Sequence, residues 1–84
     1  MDPTCTAIIE ALEAGCEVTI RSHTLGSPPE AMHVRVAHQH AGELVASARV
    51  VTPTELQHHL AREVLALTIS ELVDQVEREV VRRG

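Results

Sequence analysis

The sequence predicts an α+β domain in which a three-stranded antiparallel sheet carries two helices on one face, ordered helix, strand, strand, strand, helix, with a long C-terminal helix. Three observations predict it. Apolar residues recur with helical spacing between Asp2 and Gly15, three successive stretches between Cys16 and Val51 alternate with period two, and a capped run without Gly follows Pro53 almost to the end.

The first helix is expected from about Pro3 to Ala14. Asp2 is a suitable N-cap, Pro3 suits the first helical position and Gly15 supplies a left-handed stop. Cys5, Ile8, Ile9 and Leu12 share one side of this helix, with Glu10 and Glu13 projecting away. The stretch CEVTIRSH then alternates, with Cys16, Val18 and Ile20 on one side and Glu17, Thr19, Arg21 and His23 on the other. Gly26, Pro28 and Pro29 mark the following segment as a connection, because proline cannot continue a ladder. MHVRVAHQH and ELVASARVV form the second and third strands, joined through Ala41 and Gly42 as an antiparallel hairpin. The last helix starts at a capping box, with Thr52 as cap, Pro53 in the first position and Glu55 three residues after Thr52. We expect it to run on continuously, about 45 Å long at 1.5 Å per residue, although Thr68 and Glu71 have the spacing of a second capping box.

Composition bounds the function. The 84 residues make one domain, 1–84, whose core must come from aliphatic side chains alone, since Phe, Tyr and Trp are absent. A net charge of −5 argues against a generic phosphate-backbone binder, and the missing aromatics remove the stacking platforms used on single strands. Cys5 and Cys16 form no CxxC pair and read as free thiols. The N-terminus lacks the basic and apolar regions of a signal peptide, and no apolar run reaches the roughly 20 residues of a membrane span, so a soluble, cytoplasmic protein without membrane attachment is expected.

Candidate sites follow from parity. Arg21, Arg35 and Arg49 all lie opposite the apolar faces if those faces are Val18 with Ile20, Val34 with Val36, and Leu44 with Ala46. They would then emerge together on the uncovered side of the sheet, joined by His23 and His33 and with Val45 and Val51 as apolar spots. A mixed arginine, histidine and aliphatic face suits an acidic protein partner or a second copy of the chain. The distal part of the last helix, about 68–84, carries Ile69, Leu72, Val73, Val76 and Val80 beyond what a short sheet needs. This surplus predicts a homodimer through that segment. His38 and His40 leave one face of the second strand and could offer two ligands to zinc. A third would have to come from His58, His59, Cys5 or Cys16, and the sequence fixes none of these approaches. No cofactor is expected, and the absence of a nucleophile elbow, a phosphate-cradling loop or a HExxH helix favours a protein that is not an enzyme.

The element order resembles that of double-stranded-RNA-binding domains over most of the chain. That family opens its second helix with a lysine-rich phosphate clamp, where this chain has TPTELQHHLAREV with Glu55, Glu63 and no lysine. The resemblance therefore implies topology and leaves nucleic acid as a secondary expectation, that of a regulator using the exposed arginines. IIEALEAGCEVTIRSH and RVVTPTELQ resemble small uncharacterised proteins of high-GC actinobacterial bacteriophages. That resemblance implies an accessory or host-interacting protein and carries over no functional residue.

Overall fold

The computed structural model describes residues 2–23, 31–57 and 60–84; the side chains of Ser22, His23, Leu56 and Gln57 are not described. The elements are α1 (Pro3–Glu13), β1 (Cys16–His23), β2 (Ala31–His40), β3 (Glu43–Val51), α2 (Pro53–Gln57) and α3 (Ala61–Arg83). The strands form one antiparallel sheet in the order β1-β2-β3, with helices packed on one of its faces, so the α+β class and the three-stranded sheet are as expected. The expected Gly and Pro connection at 24–30 lies outside the described residues.

The starts of α1 and α2 are built as the sequence implies. Asp2 Oδ1 accepts from the backbone N–H of Thr4 at 2.8 Å and of Cys5 at 3.4 Å, and Asp2 Oδ2 pairs with Arg62 of α3 at 2.9 Å. Thr4 adds a hydroxyl donated to the Arg62 carbonyl at 2.8 Å, fastening the start of α1 to the first turn of α3. At α2, Glu55 accepts from the Thr52 N–H at 3.2 Å while its own N–H donates to the Thr52 hydroxyl at 3.3 Å, completing the capping box.

Three packing expectations are corrected. The side of α1 that is buried is Ala7 and Ala11; Ile9 and Leu12 are exposed, Ile8 is half-buried and Cys5 is exposed. Two alanines at i, i+4 allow α1 to lie close along α3, and that close approach outweighs the larger apolar surface of its neighbours. The last helical region is also not continuous: α2 ends at Gln57 and α3 begins at Ala61. Leu60 lies outside both helices, and α3 runs unbroken through Thr68, whose hydroxyl donates back to the Val64 carbonyl at 2.8 Å instead of capping a new helix. At 23 residues α3 is about 34 Å long, shorter than expected.

The third correction concerns the proposed dimerisation stripe. Ile69, Leu72 and Val76 are 0%, 3% and 1% exposed and form the core with Val34, Val36, Val45 and Val51. Val73 and Val80 are half-buried against it. The stripe is therefore not surplus: α3 lies on both β2 and β3, and the sheet together with α1 uses most of its apolar length. Among the described residues, no buried side-chain nitrogen or oxygen lacks a partner.

Candidate functional site

The hairpin turn decides which side chains reach the open side of the sheet. Ala41 and Gly42 both have positive φ, 52° and 81°, which defines a two-residue connection of the primed type. His40 and Glu43 are thereby made partners, and the register continues without slippage to Met32 opposite Val51. Val45, Ser47, Arg49 and Val51 consequently share a face with Met32, Val34, Val36 and His38, the face covered by helices. Leu44, Ala46, Ala48 and Val50 point to the open side.

This reverses the expected parity of β3. Leu44 and Ala46 are not its core face, and Val45 and Val51 are core residues at 3% and 0% exposure. Arg49 therefore does not join Arg21 and Arg35. Its guanidinium lies on the helix side, donating from Nη1 to the Thr68 hydroxyl at 3.0 Å and pairing through Nη2 with Glu55 at 3.1 Å. β3 is apolar at both parities, so hydrophobic count could not choose between them; counting outward from the two-residue turn could have.

What remains on the open face is a compact four-residue site. Thr19 is opposite Arg35, and Arg21 is opposite His33, across β1 and β2. These four side chains line a shallow depression of about 280 Å³. The diagonal neighbours Arg21 and Arg35 have a spacing of about 7–8 Å at the backbone, within which two guanidinium groups can close on one oxyanion. Ala48 and Val50, next to Arg35 and His33, add an apolar border. Glu17 sits one step further along the same face, opposite Ala37, and forms no ion pair with either arginine.

The remaining arginines are engaged. Arg49 pairs with Glu55, Arg62 with Asp2, Arg78 with Asp74, Arg82 with Glu79, and Arg83 with Glu79 and Glu43. The guanidinium groups of Arg21 and Arg35 have no carboxylate or hydrogen-bond partner among the described residues. The side chain of His23, the other expected member of this face, lies outside the described residues.

The histidine pair takes a different place. His38 Nδ1 donates to the Gly15 carbonyl at 2.9 Å, locking the imidazole against the corner between α1 and β1 and leaving one ring nitrogen. Among the described residues no group of three or more His, Cys, Asp or Glu side chains is arranged to hold a metal ion. His58 and His59 lie outside the described residues. Cys16, the strand partner of His38, is buried; burial pushes its thiol up, and Glu77 adds to the effect, so it is a poor thiolate.

Compared with protein-family models, curated proteins and solved structures, the chain matches none. Among the described residues no helix is long and apolar enough to cross a membrane.

Proposed function

We propose that the protein is a small non-enzymatic interaction module that binds an acidic segment of another protein on the open face of its sheet, through Arg21, Arg35, His33 and Thr19. One observation carries this reading: in a chain with more acids than bases, the two arginines that share the open depression are the ones left without a carboxylate partner among the described residues. Arginine stays charged and presents a planar fork of donors that matches a carboxylate, so this pair offers two bidentate contacts at fixed spacing. The apolar border from Ala48 and Val50 favours an acidic peptide with interspersed aliphatic side chains. Two cations on a chain of net charge −5 are too few for the multiple phosphate contacts of duplex binding. The resemblance to actinobacterial phage proteins suits an accessory or host-interacting role for such a module.

The test is fluorescence anisotropy with a labelled peptide of alternating Glu and Leu, against a Lys and Leu control and a duplex RNA. The acidic peptide binds, weakens with added salt, and loses about tenfold or more in affinity with Arg21→Glu and Arg35→Glu together. Arg62→Glu, far from the open face, leaves binding unchanged. Equal binding to the double variant, or tighter binding of the RNA than of the peptide, would sink the reading.

A further inference from the structure

We propose that the free edge of β3 pairs antiparallel with β3 of a second copy, about a twofold axis at Ser47, joining two sheets into one. Ala48 and Val50 of this edge also border the depression, but its arginines, histidine and threonine all lie on β1 and β2, so Arg21→Glu with Arg35→Glu tests the acidic-partner reading while leaving the β3 edge intact, and the pairing stands or falls apart from it.

β2 is the central strand, and among the described residues β3 has one unpaired side. Edge strands are ordinarily blunted by proline, lysine, a bulge or a covering element. β3 has none of these internal devices: ELVASARVV contains no proline or lysine, and its register with β2 is unbroken from Glu43 to Val51. Its one basic side chain, Arg49, is drawn towards Thr68 and Glu55. Beside the strand, Leu44, Val45, Gln75, Glu79 and Arg83 line a groove of about 460 Å³ that leaves this end of the edge accessible.

The hydrogen-bonding phase of β3 is set by the same turn that set its faces. A two-residue connection closes on a hydrogen-bonded pair, here His40 and Glu43, and such pairs then recur at every second residue. Glu43, Val45, Ser47, Arg49 and Val51 therefore direct their backbone groups to β2. Leu44, Ala46, Ala48 and Val50 direct theirs outward, and these outward groups must find one another for two copies to pair.

An axis at Ser47 does this and also matches the side chains. It sets Leu44 opposite Val50 of the second copy and Ala46 opposite Ala48, so each outward-bonding residue meets another. Leu44 and Val50 are 51% and 48% exposed, large for aliphatic side chains, and this pairing covers each with the other. Axes at Ala46 or Ala48 also match the backbone but leave Val50 or Leu44 facing only the end of the partner strand or beyond it. Charges agree as well: Arg49 falls opposite Val45 and Glu43 opposite Val51, so no like charges oppose. A strand edge with two aliphatic contacts buries less than the roughly 1,200 Å² of a standard interface, so the dimer is a reversible one.

Sedimentation of the full chain from micromolar to millimolar concentration is expected to show a monomer converting to a dimer. Ala46→Pro and Ala48→Pro each delete an N–H that faces solvent in the monomer, sparing the ladder to β2. They weaken the dimer about tenfold or more, with circular dichroism reporting an unchanged monomer. Should either variant fail to fold, amide exchange on the unmodified chain decides: the N–H groups of Leu44, Ala46, Ala48 and Val50 gain protection as concentration rises. A chain that remains monomeric at millimolar concentration overturns the proposal, as does a dimer in which those four amides exchange equally fast at every concentration.

Discussion

Arg49 of β3 donates to the hydroxyl of Thr68 in α3 at 3.0 Å, and Thr68 in turn donates to the Val64 carbonyl at 2.8 Å. Thr68 is fully buried, so a polar side chain in the middle of the helix–sheet contact is satisfied in both directions, once as acceptor and once as donor. The Arg49 guanidinium continues to Glu55 at the start of α2, linking β3, α2 and α3.

Replacing Thr68 by Val keeps the branched shape while removing the hydroxyl. We expect a loss of about 1 kcal/mol in a denaturant melt, because the hydrogen bonds of the buried Thr68 hydroxyl are lost, while the exposed Arg49 guanidinium keeps Glu55 and turns to water. Arg49→Met should cost about 1 kcal/mol and leave affinity for an acidic peptide unchanged. Arg21→Glu and Arg35→Glu should do the reverse, lowering affinity with little change in stability. A common effect of all three arginine changes on peptide binding would contradict the assignment of Arg49 to the structural side of the sheet.

Gly15 turns the chain from α1 into β1 at φ +83°, and a Cβ at that position would lie 3.2 Å from Cε1 of His38. Gly15→Ala is therefore strained in two ways, by its left-handed backbone and by contact with an imidazole held on the Gly15 carbonyl. The expected loss is roughly 1–3 kcal/mol. Adding His38→Ala to Gly15→Ala relieves the contact and leaves the backbone strain, so a double-mutant cycle should give a favourable coupling between the two changes. Strict additivity would show that the imidazole is not held at the corner.

Acid should destabilise the fold over a defined window. Hydrogen bonds from Arg82 and Arg83 hold the Glu79 carboxyl down from the ordinary 4.5 to about 2. The Thr52 N–H and hydroxyl, with Arg49, lower that of Glu55. Burial opposes the charged form of Asp2, yet the Thr4 and Cys5 N–H groups and Arg62 hold its carboxyl below the usual value. A carboxylate whose pKa is depressed by folding contributes stability that is present above its unfolded value and is lost as pH falls through the folded one. Melting temperature should therefore decline from about pH 4.5 towards pH 2, and Glu79→Gln should flatten that decline while leaving a smaller slope from Asp2 and Glu55.

Elements whose limits depend on neighbouring residues were legible in the chain itself. Asp2 and Pro3 start α1, Gly15 stops it, and Thr52 with Glu55 starts α2, because capping satisfies backbone groups within a few residues. Alternation between Cys16 and Val51 located three strands, and the short Ala41–Gly42 turn implied the hairpin. Thr19, Arg21, His33 and Arg35 could be placed on one surface for the same reason, since a strand's faces follow from its period.

What only the tertiary structure decided was which of two acceptable faces each element buries. β3 is apolar at both parities, and its pairing with β2 selected Val45 and Val51, moving Arg49 to the face that carries the helices. α1 offers Ile9 and Leu12, yet its close approach to α3 selected Ala7 and Ala11. Thr68 has the spacing of a helix start, but the Val64 carbonyl and the Arg49 guanidinium give it partners inside α3. Ile69, Leu72 and Val76 resembled a surplus stripe until the sheet was laid against them. A residue's type and spacing fix what it can pack against; its partner's shape and register determine which of those contacts is made.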